Sequence, residues 1–432
     1  MKYYSTRNHS AEFSFSEAVL MGLAPDGGLF LPVTLPKLGI SHQELEKLSF
    51  HERIFHLIKP FVHEEIPDDD LKKIIADVFN FPVETKTFDA DFSILELFHG
   101  PTLAFKDFGA RFLARILSYF VSKRNKKCVI LVATSGDTGS AVANAFYDVD
   151  GIQVVLLYPK GKVSFIQEQQ LTTFDKNITS YEVDGTFDDC QRLVKAAFMD
   201  ESLMSKYFLT SANSINIARL LPQSVYYVES YLSLHNRFES LAFSVPSGNL
   251  GNLSAGLLAR ALLDLNCVYT SSLNANCVFE EFLNTGVLNT RPSVETLSNA
   301  MDVGNPSNLE RISTLFPGEG DLQKFIQSYH FDDDQTVEAI IEFYNKYNYV
   351  IDPHTAVGYL GAKKSIENGS KAHQIILSTA HPVKFLSVIE KALNISPAIP
   401  ERLAVVLKKK KKVVETGKDY ESFKANLVET IK

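Results

Sequence analysis

Cysteine is scarce in this chain: four residues (Cys128, Cys190, Cys267, Cys277) lie far apart, with no C-x-x-C pair. The spacing excludes a disulfide frame or a cysteine zinc site and reads as reduced thiols in a cytosolic protein. No apolar run approaches the roughly 18 uninterrupted residues of a membrane helix. The stretch Met1–Ser10 lacks the apolar core of a secretory signal, so the expected setting is cytoplasmic. Basic residues are not in excess either. The 43 Lys and Arg against 51 Asp and Glu leave a formal net charge of −8, which argues against a general nucleic-acid role. Repeats and low-complexity tracts are missing, apart from five lysines at Lys408–Lys412. That run reads either as a solvated like-charge block or as an anionic docking patch.

What remains is an ordinary globular composition, 45 % hydrophobic and 22 % charged, in a chain of 432 residues that suits two or three lobes. Residues 1 to about 90 form a mixed N-terminal region. It holds the turn-rich Gly22–Pro32 stretch with Pro25-Asp-Gly-Gly28, and helical patterns over Gln43–Lys59 and Asp68–Phe79. After Ile94, β-rich runs alternate with amphipathic helices, the pattern of an α/β fold with a largely parallel sheet. Three runs end in small polar loops before a helix: Cys128–Ala133 with Thr134–Ser140, Leu241–Val245 with Pro246–Asn252, and Gln374–Leu377 with Ser378–Lys384. Further strands are expected at Ile152–Tyr158, Ile178–Val183 and Val268–Leu273, and a helical, hairpin-like pattern at Gln335–Tyr347. Open α/β sheets bind ligands at the carboxyl ends of their strands, so the three loops are natural walls of one site.

The segment His99–Phe112 carries the chemistry. Lys106 follows a Gly-Pro turn and precedes a helix predicted from Ala110, whose apolar residues Phe112, Leu113, Ile116, Leu117, Phe120 and Val121 recur at helical spacing. A lysine in apolar surroundings loses its proton easily and becomes a nucleophile for aldehydes; the plain alternative is a snorkelling lysine or a surface pair with Asp107. Ser247-Gly-Asn-Leu-Gly-Asn252 reads as a phosphate cradle of backbone N–H groups or as a tight turn. It has neither Walker nor dinucleotide spacing, which argues against a nucleotide-binding protein. The hydroxyl-rich Thr134-Ser-Gly-Asp-Thr-Gly-Ser140 suits a second anion, with Asp137 as a candidate helix cap. In Ser211–Gln223, Asn213 and Ser214 are expected to begin a helix presenting Arg219, a phosphate fork or a surface arginine. Lys160 and Lys162 either steer an anion or belong to a solvated turn. His381 and His99 read as structural histidines rather than acid–base groups.

Taken in order, the Pro-Asp-Gly-Gly loop and the segments around Lys106, Thr134–Ser140, Asn213–Arg219, Ser247–Asn252 and Ser378–Phe385 resemble the bacterial-type threonine synthases over nearly the whole chain. The resemblance implies an α/β, two-lobed, tryptophan synthase β-like fold (pyridoxal-phosphate fold type II) with an additional N-terminal domain. The implied division is 1–90 N-terminal, 91–117 with 216–390 as the large cofactor lobe, 118–215 as a smaller mobile lobe, and 391–432 as a C-terminal extension. It implies pyridoxal 5'-phosphate on Lys106, its phosphate held by Gly248, Asn249, Leu250, Gly251 and Asn252, and its ring nitrogen meeting Thr379. Leu250 and Asn252 depart from the family wording, usually Ser-Gly-Asn-Phe-Gly-Asp; a backbone cradle tolerates both changes. Substrate groups would meet Thr134, Ser135, Asp137, Thr138, Asn213, Ser214 and Arg219, and no metal is implied. The implied reaction converts O-phospho-L-homoserine and water to L-threonine and phosphate. Alternatives are a phosphohomoserine lyase or hydroxy-amino-acid dehydratase giving 2-oxobutyrate, or a non-catalytic cofactor-binding protein. A small-molecule substrate, no nucleic acid or membrane partner, and a monomer or homodimer complete the expectation.

Overall fold

The computed structural model describes residues 1–122, 127–318 and 320–431. Residues 123–126, within the segment expected as the smaller lobe, and 319 and 432 lie outside the described residues. At the N-terminus, β1 (Tyr3–Ser5), β2 (Asn8–Phe13) and β3 (Phe30–Pro32) form an antiparallel sheet ordered β2-β1-β3. The helix predicted over Gln43–Lys59 is two helices, His42–Glu46 and Phe50–Val62. Ser49 separates them. Its backbone N–H donates to the Glu52 carboxylate at 2.8 Å while its Oγ accepts from the Glu52 N–H, a capping box that restarts the helix. Apolar periodicity runs through the break because Leu45, Ile54, Leu57, Ile58 and Phe61 all enter the same core.

The next strands are β4 (Glu84–Thr87) and β5 (Phe92–Glu96), then β6 (Cys128–Ala133), β7 (Ile152–Pro159), β8 (Ile178–Val183) and β9 (Phe208–Thr210). They are followed by β10 (Leu241–Pro246), β11 (Cys267–Leu273), β12 (Ile326–His330), β13 (His373–Ser378) and β14 (Val414–Thr416). One sheet has the order β12-β11-β10-β13-β5-β4, parallel except for β4. The other has the order β14-β8-β7-β6-β9 and is parallel throughout. Every residue of β6, β7, β10 and β13 is buried, as parallel strands covered on both faces require. The chain runs β6, β7, β8 in one direction and then returns to place β9 on the other side of β6. The loops after β6 and β9 therefore flank a topological switch point. In the larger sheet, β13 inserts between β10 and β5, which brings the loops after β5, β13 and β10 side by side.

The helix carrying Lys106 spans Lys106–Val121 and so begins a turn earlier than its apolar periodicity indicates. Its buried face packs on the Asp68–Val78 and Asp137–Phe146 helices. Gly109 permits close approach of the short Ile217–Leu220 helix: a Cβ there would lie 2.8 Å from Arg219 Nε and from Arg219 O. The Gln335–Tyr347 pattern belongs to one helix, Asp333–Tyr347, which packs on the following Pro353–Glu367 helix to complete the hairpin.

Residues after 390 do not trail away from the body. β14 adds to β8, and Phe423, Leu427 and Ile431 of the C-terminal segment pack under Val129, Leu131 and Val155. The lysine run is divided in its fate. Lys408, Lys409 and Lys410 are exposed. Lys411 pairs with Glu168 at 2.8 Å and with buried Glu182, and Lys412 pairs with Asp175 at 2.9 Å. Lys411 and Lys412 are exposed as well, so the block is solvated as read, with its end resting on the body through these pairs. All four cysteines are free thiols. Among the described residues, no helix is long and apolar enough to cross a membrane.

Gly256 tests the packing of the larger sheet. Alanine at an ordinary helix position gains about 1 kcal/mol over glycine, but a Cβ here would meet Tyr269 at 2.7 Å and Tyr227 at 2.8 Å. Both rings are buried and fixed by hydrogen bonds to Gly256 O and Asn252. Gly256→Ala is therefore expected to destabilise the chain by about 1–3 kcal/mol, measured by urea unfolding.

Candidate active site

At the carboxyl ends of β5, β6, β9, β10 and β13 the loops enclose a cavity of about 1290 Å³. Lys106, Thr134, Ser135, Thr138, Asn213, Ser214, Arg219, Gly248, Asn249, Leu250, Gly251, Asn252 and Thr379 all line it. Of the cofactor and substrate residues expected from the sequence, only Asp137 does not.

Lys106 stands at the first turn of its helix with its ammonium 5.9 Å from the Phe105 ring centre. Burial pushes the amine down to about 8; nearby Asp137 opposes this, while the positive charges of Lys384 and Arg219 add to it. The family resemblance groups Asp137 with the substrate-binding residues, yet its carboxylate faces a cation. Lys384 Nζ lies 2.7 Å from its Oδ1, and Gln167 Nε2 donates to the same oxygen at 2.9 Å. Burial alone would raise the Asp137 carboxyl; the charges of Lys384 and Lys106 and the two hydrogen bonds hold it well below the usual range. An ionised carboxylate so paired has no proton to donate. Nor does Asp137 cap its helix, whose N-cap is Gly136 at φ 142°.

The Ser247–Asn252 loop ends in the N-terminus of the Gly251–Leu263 helix. Leu250 adopts a left-handed conformation, φ 58°, which turns the chain into the helix. Among the described residues, the N–H groups of Gly248–Leu253 donate to no protein acceptor, whereas Ser254 N–H already bonds Leu250 O. Open donors at a helix N-terminus suit a phosphate. Asn252 adds one more: Tyr226 and Tyr227 hydroxyls donate to its Oδ1 at 2.7 and 2.8 Å, while its buried Nδ2 has no partner among the described residues. The same holds for Arg219 Nε. Arg219 Nη1 donates to Ala212 O at 2.5 Å, and burial brings the guanidinium down to about 10 against the pull of Asp107. The helix bearing Arg219 is capped by Asn216, so Asn213 and Ser214 lie in the turn before it. These open donors, beside one desolvated amine, fit an anionic aldehyde such as pyridoxal phosphate.

Contacts between distant segments support the site, and two of the residues that make them, Arg311 and His354, were not among those expected. Asn249 joins the cradle to the neighbouring loop by donating to Ser214 Oγ at 2.7 Å. Buried Arg311 donates to Phe30 O in β3 at 3.3 Å, to Asn308 Oδ1 at 2.7 Å, and to the carbonyls of Ser214 and Ile215. The N-terminal sheet thereby fixes the Asn213–Asn216 turn. His354 lines the cavity, donating from Nδ1 to Asp352 at 2.7 Å and accepting the Ala300 N–H on Nε2 at 3.2 Å. Asp352 is the N-cap of the Pro353–Glu367 helix, and an Asp-Pro-His pattern at a helix start is the signal that could have found it.

His381 caps the Pro382–Phe385 turn, with Nδ1 accepting from the Val383 N–H at 3.2 Å, and burial brings its imidazole down to about 4. His99 lies 2.7 Å from Glu96 and does not line the cavity. The nearby Glu84, Glu96 and His99 atoms converge, but Lys86 Nζ, 2.7 Å from Glu96, supplies the positive charge there. Lys160 pairs with Glu182 and Glu415, and Lys162 with Glu295, each at 3.7 Å; neither lines the cavity.

Three family models match the chain: "Threonine synthase N terminus" over residues 2–79, "Pyridoxal-phosphate dependent enzyme" over 85–378, and "Threonine synthase, C-terminal" over 355–426. Threonine synthase of Buchnera aphidicola subsp. Acyrthosiphon pisum is 41% identical over 408 residues, covering 93% of this chain and 94% of its own. The crystal structure of threonine synthase from Escherichia coli superposes with a TM-score of 0.92 at 38% identity, over 99% of this chain and 100% of that one. The pyridoxal-phosphate-bound threonine synthase from Brucella melitensis superposes with a TM-score of 0.91 at 31% identity, over 100% of both chains.

An amine lowered to about 8 from the ordinary 10.5 is mostly protonated below that pH and mostly neutral above it. Trace acetylation of the cofactor-free chain, read peptide by peptide by mass spectrometry, should therefore show Lys106 reactivity rising with pH to a midpoint near 8.

Proposed function

The chain belongs to the threonine synthase family of pyridoxal-phosphate-dependent enzymes, and from that premise we propose that it converts O-phospho-L-homoserine and water into L-threonine and phosphate at this cavity. The observation that carries the reading is a lysine amine, lowered to about 8, that lines the cavity together with a cluster of open anion donors. Pyridoxal phosphate, when bound, supplies an electron sink that stores charge while protons leave substrate carbons.

Lys106 is the residue that carries the cofactor, and the unpaired N–H groups of Gly248–Asn252 with Asn252 Nδ2 are the donors for its phosphate. Thr379 offers a neutral hydroxyl to the ring nitrogen. Once freed, Lys106 Nζ takes the proton from the substrate α carbon and moves a proton at the β carbon. Its lowered affinity for protons suits both tasks near neutral pH. Ser135, Thr138 and Thr134, at the start of the Asp137–Phe146 helix, receive the substrate carboxylate. Arg219, Ser214 and Asn213 hold the substrate phosphate and neutralise it as it leaves the γ carbon. In this reading Asp137, expected among the substrate-binding residues, pairs with Lys384 instead.

The same reading divides the chain into an N-terminal region through about residue 90, a large lobe built on the six-stranded sheet, and a smaller lobe at 118–215. Membership of β6–β9 in one sheet supports that division, and β14 joins the C-terminal residues to the smaller lobe. The fold is of the tryptophan synthase β type, the setting is the reducing cytoplasm in keeping with the free thiols, and the enzyme works as a monomer or homodimer on a small molecule.

Lys106→Ala is expected to abolish the visible absorbance of bound cofactor together with turnover, and product analysis of the wild type should give threonine. Release of 2-oxobutyrate as the main product would replace this reading with a lyase. Arg219→Met removes charge-assisted hydrogen bonds, each about 1.5–3 kcal/mol, so KM for phosphohomoserine should rise about 10- to 100-fold, measured by phosphate release.

A further inference from the structure

The Lys384–Asp137 pair is buried on both sides, with side-chain exposures of 0% and 4%. Neither residue lines the cavity. Removing an ammonium from water costs several kcal/mol, and an apolar residue of similar length would fill the same space. Lys384 Nζ also donates to Thr102 O at 3.0 Å. Thr102 in turn donates from its N–H and Oγ1 to Asp107, beside Lys106, at 2.8 and 2.7 Å. Gln167 Nε2 completes the group on Asp137, and Gln170 Nε2 donates to Thr102 O at 3.2 Å. Thr102 and Lys384 follow strands of the six-stranded sheet, whereas Asp137, Gln167 and Gln170 belong to helices of the five-stranded one.

The charged groups facing Lys106 are Asp137 from the Asp137–Phe146 helix, Lys384 from the turn after β13, and Arg219 from the Ile217–Leu220 helix. Asp107, on the lysine's own helix, has its carboxylate occupied by Thr102. Asp137 is thus the anion available to the Lys106 ammonium. Among the described residues it forms no ion pair with Lys106, because Lys384 holds it.

We propose that Lys384 is a positioning residue for Lys106: by binding the Asp137 carboxylate it withholds that anion from the Lys106 amine and keeps the amine nucleophilic toward an aldehyde. The inference rests on the reading of Lys106 as the cofactor-carrying lysine. Without Lys384, the buried Asp137 charge would stabilise the Lys106 ammonium, and an ammonium does not attack a carbonyl carbon. Without Asp137, the uncompensated Lys384 charge would drive the Lys106 proton off more readily.

The test uses the full-length chain freed of cofactor, with the Lys106 titration read by trace acetylation and the rate of pyridoxal phosphate addition read by borohydride trapping at Lys106. Lys384→Met should move the Lys106 midpoint upward, and addition at neutral pH should slow about tenfold for every whole pH step by which that midpoint rises. Asp137→Asn should move the midpoint downward, and the double variant should return it toward the wild-type value. A purely structural lysine predicts lower stability in Lys384→Met with no change in midpoint; that result, or a double variant that fails to return, overturns the proposal. If Lys384→Met does not unfold cooperatively, Asp137→Asn decides alone: a midpoint that does not fall overturns the proposal. Wild-type protein that never traps pyridoxal phosphate at Lys106 would instead refute the functional reading, while the acetylation midpoints would still decide the part played by Lys384.

Discussion

Setting one amine among groups of both charges, so that it can give up its proton close to neutral pH, is the constraint around which this site is arranged. Lys106 cannot simply be buried among apolar side chains, because the site must also accept anions. The structure places Lys106 beside two cations and one anion and commits the anion elsewhere, to Lys384. Among the described residues, the N–H groups of Gly248–Leu253, Asn252 Nδ2 and Arg219 Nε remain open donors at the cavity. Desolvation acts on Lys106 and Arg219 in the same direction but with different results. The lysine is brought to a pH where it exchanges protons, while the guanidinium remains a cation.

The N-terminal sheet has a physical part in this arrangement although it supplies few cavity residues. Through Phe30 O it fixes Arg311, and Arg311 fixes the carbonyls of Ser214 and Ile215. Asn249 then connects Ser214 to the loop after β10. One buried arginine thus joins three parts of the chain at the side of the cavity where Arg219 sits. An arginine suits this because its planar fork can serve several carbonyls at once in fixed geometry.

Much of the site was legible in the sequence because its parts are local patterns. An apolar run followed by glycines and hydroxyls announces a strand, a turn and a helix start within a short stretch of chain, and this found the loops after β6, β10 and β13. Lys106 was legible from its aromatic flanks and the helix beyond. The helix break at Ser49 was readable too, since Ser49 and Glu52 have capping-box spacing, but apolar periodicity continued across it and masked the signal. Lys384, Gln167, Arg311 and His354 were not legible as site residues. Each acts on a partner brought close only by the fold, and a lone lysine or glutamine looks the same whether it is buried or solvated. The role of Asp137 failed to emerge for the same reason: it is decided by a cation on another sheet. Lys411 and Lys412 are exposed like the lysines before them and differ only in the carboxylates that meet them.

The position of β13 between β10 and β5, and of β14 at the edge of the five-stranded sheet, has a consequence for biosynthesis. Neither large sheet can be completed on the ribosome until almost the entire polypeptide has emerged, since the former lacks a central strand and the latter its outer one until late in translation. Such non-local pairing closes long loops and folds slowly. The nascent chain consequently spends most of its synthesis with apolar strand edges waiting for partners. Exposed strand edges of that kind favour aggregation until the last strands pair.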